Sequence, residues 1–246
     1  MKGSVLVTGA SRGIGAAIAQ FLADAGYVVG CLSRSGAPPN RPAASSATRE
    51  RWFPIRADVT DEGAVRRAVK QLAEYSGPLA GVVNNAGVHD EARSADMTRE
   101  QWDAAVSTNV LSTVFGCQAA YPYLVAAGGG LIVNIGSFFD KLGVKRNLAY
   151  CASKAAVGAV TRVLAVEWAS DRIRVLNVAP GYIVTDLNRE AMTQGPLRAY
   201  LERRIPQGGP GTADDIAVLV TALFTAGHSF LTGETIYVDG GQGVAH

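Results

Sequence analysis

From end to end the chain alternates short, continuously apolar runs with longer stretches of helical spacing, and few folds accommodate that pattern. Residues 4–8 read SVLVT, and strand-like runs recur at 28–32, 52–55, 81–84, 131–135, 173–178 and 235–238. Between the first two, Ile14, Ala17, Ile18, Phe21 and Leu22 recur with a helical period over 13–25, and Gly26 stops the run. Helices are likewise expected over 61–75 with Thr60 as N-cap, from Arg99 behind a Thr98 cap through to Ala127, over 150–169 and over 213–225. Strands that are apolar throughout, rather than at every second residue, are covered on both faces. Alternation with helices and right-handed crossovers then gives an α/β, doubly wound, Rossmann-like parallel sheet of about seven strands with helices on both faces.

Length sets the number of cores. At 246 residues, 48% of them hydrophobic, one core can still grow, so a single domain over 1–246 is expected. Two stretches look irregular. One is the Pro-, Ala- and Ser-rich segment 35–47. The other is 181–211, a candidate substrate lid over about 182–211 that carries Tyr182, Leu187, Met192, Leu197 and Tyr200.

Charge and cysteines exclude several functions. A net charge of +2 from 23 basic and 21 acidic residues, without a basic stripe, argues against nucleic acid. No apolar run reaches the roughly 18 residues of a membrane span. The start, Met1-Lys2-Gly3-Ser4, runs into a strand without a cleavable signal pattern, so a cytoplasmic protein is expected. Cys31, Cys117 and Cys151 have the spacing of neither a disulfide framework nor a zinc site, and no metal is expected. Cys31 and Cys117 read as small core residues; Cys151 lacks the neighbouring histidine that would activate a nucleophile.

The first strand runs into Thr8-Gly9-Ala10-Ser11-Arg12-Gly13-Ile14-Gly15. Glycines let a backbone turn sharply and approach a pyrophosphate, and the helix that follows offers unpaired N–H groups and a positive dipole end. A glycine-rich βα turn without a ligand would have the same composition. At the end of the second strand, Cys31-Leu32-Ser33-Arg34-Ser35 holds no acid to bond a ribose 2′-hydroxyl. Arg34 and Arg12 instead suit a 2′-phosphate, so NADP(H) is favoured over NAD(H); otherwise both are solvated surface cations. Farther on, Tyr150-Cys151-Ala152-Ser153-Lys154 sets Tyr150 and Lys154 one helical turn apart. A phenol titrates near ~10, and a nearby ammonium is expected to lower that value toward the range of a general acid/base. Such a pair arises on helices by chance, but here Ser137 follows the fifth strand, thirteen residues upstream of Tyr150.

These motifs together resemble the short-chain dehydrogenase/reductase family. The match takes in T-G-x-x-x-G-x-G at Thr8–Gly15, Asp58-Val59, Asn84-Asn85-Ala86-Gly87, Ser137 with Tyr150 and Lys154, and Pro180-Gly181-Tyr182-Ile183-Val184-Thr185. The ending Gly233–Gly241 is similar too, so the resemblance covers nearly the whole chain. It implies a hydride-transferring oxidoreductase acting between a ketone and a secondary alcohol. In that family the aspartate contacts the adenine amine and the Pro-Gly-x-x-x-Thr segment holds the nicotinamide amide. The serine bonds the substrate oxygen, and the lysine binds the nicotinamide ribose. Asn109 matches an asparagine that completes a proton relay through water; read alone it is a mid-helix polar residue facing solvent. Homotetramers, or dimers, are the family's common assemblies.

Substrate residues are less defined. Phe138 and Phe139, where the family more often has small residues, suggest an aromatic wall beside Ser137, Tyr150 and Tyr182; packing under the lid is the alternative. His89 reads as a surface residue because Tyr150 already fills the proton role. Lys141, Lys145 and Arg146 suit an acidic substrate or a solvated loop. Family members that reduce 3-oxoacyl groups on a carrier protein hold the acidic carrier with a basic patch. Here Val125-Ala126-Ala127-Gly128-Gly129-Gly130 has no cation and Arg172 follows Asp171. A general NADP(H)-dependent ketone or secondary-alcohol oxidoreductase is therefore the expectation. The alternatives are a 3-oxoacyl-carrier-protein reductase, an NAD-dependent alcohol dehydrogenase and, in another class, an NADP(H)-binding regulator without turnover.

Overall fold

The computed structural model describes residues 2–43, 45–186, 188–227 and 229–245. Seven parallel strands form one sheet: β1 (Ser4–Thr8), β2 (Val28–Ser33), β3 (Trp52–Arg56), β4 (Leu79–Asn84), β5 (Gly130–Ile135), β6 (Ile173–Pro180) and, at the far edge, Thr235–Val238. In space the order is β3-β2-β1-β4-β5-β6 and then Thr235–Val238. Chain direction across the sheet reverses between β1 and β4, and the crevice at that switch point, at the carboxyl ends of the strands, is where such sheets bind ligands. β3 is an edge strand, which is why it tolerates Pro54.

Helices cover both faces. α1 (Gly13–Asp24) lies on one side together with the helix Ala213–Thr225, around a core that includes Ile18, Leu22, Val29, Val133 and Ile216. On the other side, Leu6, Leu72, Leu124, Ile132 and Val175 form a second core. After α1 come α2 (Ser46–Glu50), α3 (Glu62–Ser76), α4 (Arg99–Ala105), α5 (Ser112–Ala126) and α6 (Leu148–Glu167). α6 is apolar and 20 residues long, enough to cross a bilayer, yet it packs along β6 with Lys154 on its buried face.

Several boundaries differ from the sequence expectation, each for a local reason. Thr60 does not cap α3: its N–H and hydroxyl donate to Asp58 (2.9 and 2.8 Å), and Asp61 takes the cap by accepting from the Ala64 N–H. α6 starts at Leu148, two residues before Tyr150. The helix expected from Arg99 to Ala127 begins with a Thr98–Gln101 capping box but is interrupted by a π-helical turn at Val106–Leu111 that contains Asn109. Within 35–47 the helix α2 begins at Ser46 behind a Ser45 cap. The 181–211 segment is not irregular throughout. It contains α7 (Arg189–Thr193) and α8 (Gly195–Arg204), and β7 (Ile183–Val184) pairs in parallel with β8 (Gly211–Thr212). Leu187 lies outside the described residues. The last helix, α9 (Ala213–Thr225), starts at a Thr212–Asp215 capping box, and the last strand of the main sheet is β9 (Thr235–Val238).

Candidate active site

The glycine loop needs its glycines for space as well as for conformation. Gly9 and Gly13 have φ of +67° and +56°, and a Cβ on Gly15 would sit 2.3 Å from the Gly9 carbonyl oxygen and 2.5 Å from Asn85 Nδ2. Asn85 locks this close approach by donating from Nδ2 to the Thr8 carbonyl (2.9 Å). The Thr8 hydroxyl in turn accepts from the backbone N–H groups of Asn85 and Ala86 (2.9 and 3.0 Å). Thr8 is a tie between β1 and β4 that the sequence motif contained without revealing its use. α1 starts at an extended Arg12 whose side chain makes no cap, so the first-turn N–H groups face the crevice without side-chain partners.

A cavity of about 530 Å³ follows from this arrangement. Gly9, Ser11, Arg12, Gly13, Ile14 and Gly15 line it from the loop, Ser33 and Arg34 from the end of β2, Asp58 and Val59 from the end of β3, Asn85, Ala86 and Gly87 from the end of β4, and Thr185 from beyond β6. Thr60, Thr108 and Asp186, none of them expected at a cofactor site, add further walls. Arg12 and Arg34 are exposed at the rim, and neither has a carboxylate within salt-bridge distance among the described residues. Hydrogen bonds from Thr60 hold the Asp58 carboxyl below its ordinary range, with a lesser pull from Arg34. The cradle fits a dinucleotide: the positive-φ turn at Gly9 and Gly13 and the first-turn N–H groups of α1, free of a side-chain cap, suit a pyrophosphate, and the rim supplies cations for a further phosphate.

A second cavity, of about 210 Å³, adjoins the first and shares Ile14, Asn85, Gly87 and Val88 with it. Ser137, Tyr150, Lys154, Pro180, Gly181 and Ile183 line it. Ser137 caps the short 3-10 turn Phe138–Asp140, its hydroxyl accepting from the Phe139 N–H (3.3 Å). Lys154 is buried, and its ammonium donates to the Ile135 carbonyl (2.8 Å) and stands 5.7 Å from the centre of the Tyr150 ring. Burial pulls this lysine down to about 8. The expected lowering of the phenol by the lysine is not what the structure gives. Burial pushes Tyr150 above its ordinary value, and the group that pulls it back is the Ser137 hydroxyl, because the ammonium is itself desolvated and turned toward Ile135.

Asn109 does not face solvent: it is 1% exposed. Its amide accepts from the Val88 N–H (2.8 Å) and donates to the Val88 carbonyl (3.0 Å) and to Ser153 Oγ (2.9 Å), so it joins the loop after β4 to α6. The π-helical turn places it there, a deviation often found at functional sites. Phe138 and Phe139 do not line the smaller cavity. Both are buried, packed edge-to-face against Tyr182, with Phe139 also against Tyr150. The aromatic wall is therefore a support behind Ser137 and beneath the lid segment. His89 is exposed as expected, yet its ring lies 4.4 Å from that of Tyr150 and lines the smaller cavity, which its sequence context did not signal. A wider hollow of about 830 Å³ opens at the opposite end of the sheet around Lys2, Tyr27, Gly129 and Phe224; none of the motif residues line it.

A family model described as enoyl-(acyl carrier protein) reductase matches residues 9–242, nearly the whole chain. The chain belongs to the short-chain dehydrogenase/reductase family. This short-chain dehydrogenase/reductase is an oxidoreductase acting on CH–OH or C=O groups. It is 36% identical over 247 residues to the 3-oxoacyl-[acyl-carrier-protein] reductase MabA of Mycobacterium tuberculosis, covering 99% of this chain and 94% of that protein. It is 33% identical over 237 residues to the D-threitol dehydrogenase of Mycolicibacterium smegmatis, covering 96% and 91%. Among solved structures, a gluconate 5-dehydrogenase from Burkholderia cenocepacia, crystallised with NADP and tartrate, is similar with a TM-score of 0.88, 31% identity and coverage of 99% and 96%.

Proposed function

We propose that this short-chain dehydrogenase/reductase interconverts ketones and secondary alcohols with NADP(H) in preference to NAD(H), using Tyr150 as acid/base. The carrying observation is that a dinucleotide-shaped crevice shares its wall at Ile14, Asn85 and Gly87 with a small cavity holding Ser137, Tyr150 and Lys154. When bound, the nicotinamide supplies or accepts the hydride. In reduction, Tyr150 Oη gives its proton to the substrate oxygen and the Ser137 hydroxyl donates a hydrogen bond to the same oxygen, steadying its developing charge. Lys154, held near 8, exchanges a proton at Nζ close to neutrality and sits beside the phenol. Asn109 fixes the loop that carries Gly87 and Val88 against α6, and so sets the spacing between the two cavities. Gly9, Ser11, Gly13 and Gly15 would hold the pyrophosphate, Asp58 and Val59 the adenine, and Pro180, Gly181, Ile183 and Thr185 the nicotinamide end. Val163 and Val166, apolar and exposed on α6, and Leu111 on the π-helical turn support assembly through a second copy, in keeping with a homotetramer or dimer.

Turnover of a ketone panel, followed by loss of NADPH absorbance, tests the activity; tight NADPH binding without any turnover would contradict it. The cofactor preference rests on Arg12 and Arg34, two uncompensated cations at a rim where β2 ends in Ser33 rather than an acid. A charge-assisted hydrogen bond contributes about 1.5–3 kcal/mol, reduced here because both side chains are exposed. Arg12→Ala combined with Arg34→Ala should therefore weaken NADPH about a hundredfold and NADH only severalfold. Equal losses for the two cofactors in a binding titration would refute the phosphate clamp.

A further inference from the structure

His89 enters the smaller cavity from the loop after β4, beside the phenol on which the proposed reaction turns. Its ring is fixed on two sides. Phe139 meets it edge-to-face at 6.2 Å, and Nε2 is hydrogen-bonded to Asn147 Oδ1. Asn147 is buried and has its own orientation set, because its Nδ2 donates to the Lys145 carbonyl (2.9 Å). The atom it turns toward His89 is thus an amide oxygen, which only accepts. Nε2 must carry the hydrogen, and in a neutral imidazole that leaves Nδ1 as a bare acceptor. Among the described residues Nδ1 has no hydrogen-bond partner.

The rest of the cavity sharpens what such an acceptor would read. The space is only about 210 Å³, and Phe138 and Phe139 support it from behind rather than forming an apolar wall. Tilted at 39° with its centre 4.4 Å from that of the phenol ring, the imidazole lines the same small space as Tyr150 and Ser137, which a group one or two bonds from the reacting carbon would share with it. We infer that His89 is a specificity residue selecting substrates with a hydroxyl adjacent to the reacting carbon, that is, α-hydroxyketones and the corresponding vicinal diols. This rests on the ketone–alcohol reading above and names its substrate class. A simple ketone, or a 3-oxoacyl chain with only CH₂ at that position, offers Nδ1 no donor. A site built to bond a hydroxyl discriminates strongly against analogues lacking one, although His89 is exposed and water softens the penalty.

The test compares 3-hydroxy-2-butanone with 2-butanone, two four-carbon ketones that differ by that hydroxyl, using the full chain and NADPH. The readout is the ratio of their kcat/KM values, so that intrinsic reactivity cancels between variants. In His89→Leu the ratio should fall about tenfold from its value in the unaltered protein. Asn147→Asp should lower it as well, since a carboxylate there favours the imidazolium, whose two nitrogens both donate. NADPH binding within about twofold of normal identifies the folded variants, and if one fails to fold the other decides. A ratio that neither substitution moves would overturn the assignment of His89 while leaving the ketone–alcohol reading intact. Absence of turnover on both ketones in the unaltered protein would remove that reading and this inference with it.

Discussion

Tyr150→Phe should lower kcat by about a thousandfold or more and leave NADPH affinity within about twofold. General acid/base catalysis by one positioned side chain accounts for roughly 10²–10⁴ in rate, and the neighbouring donors are engaged elsewhere, Lys154 Nζ with the Ile135 carbonyl and His89 Nε2 with Asn147. The ring contacts with His89 and Phe139 survive the substitution, because they involve carbon faces and edges rather than the hydroxyl. The variant should fold, bind cofactor and fail at chemistry; single-turnover kinetics beside a binding titration separates these. Retained turnover would remove Tyr150 from the reaction. The pH dependence has a definite sign. Burial raises the phenol, so the protonated form needed for reduction persists through neutrality and above. Oxidation needs the phenolate and should climb with pH without levelling off below about 10, while reduction should not climb.

Much of this was legible in the chain because the signals were backbone requirements. Continuous apolar strands, the positive-φ glycines of the loop and the four-residue step from Tyr150 to Lys154 each constrain geometry directly. The features that escaped depend on contacts between distant segments. Asn147 precedes α6 and reads as a loop residue; only the fold brings it to His89 from 58 positions away. Thr8 ties β1 to the loop after β4 across 77 positions, which no local pattern encodes. The π-helical turn at Val106–Leu111 follows a run whose apolar spacing is compatible with an ordinary helix, and its extra residue is exposed only when Asn109 must reach both Val88 and Ser153. For Phe138 and Phe139 the sequence left a cavity wall and packing under the lid both open, for a related reason. Their apolar character was plain, but which side of Ser137 they occupy depends on Tyr182 arriving from a segment more than forty residues later.

The same burial that tunes Lys154 predicts that the protein is less stable for having it. Lys154 sits at 5% exposure, and desolvation depresses its folded-state value from 10.5 to about 8. In the unfolded chain the ammonium keeps its ordinary value, so between about 8 and 10.5 the unfolded state binds the extra proton and the folded state does not. Stability attributable to this group therefore rises with pH through that window and is at its worst below it. One pKa unit is about 1.4 kcal/mol, so the penalty near neutrality is on the order of 3 kcal/mol, less whatever the hydrogen bond to Ile135 returns. Lys154→Met keeps the length and apolar volume of the side chain and removes the charge. Without cofactor at pH 7 its Tm should rise by several degrees, and the gain should shrink as pH climbs from 8 to 10.5. Activity should move the other way, falling about a thousandfold, because the proton exchange at Nζ beside Tyr150 is lost. Thermal denaturation across pH, paired with kcat, checks both arms. A variant that melts lower than the parent at neutral pH would show that the buried ammonium is held by more than its one carbonyl, and that the site's charge is not being maintained against the stability of the fold.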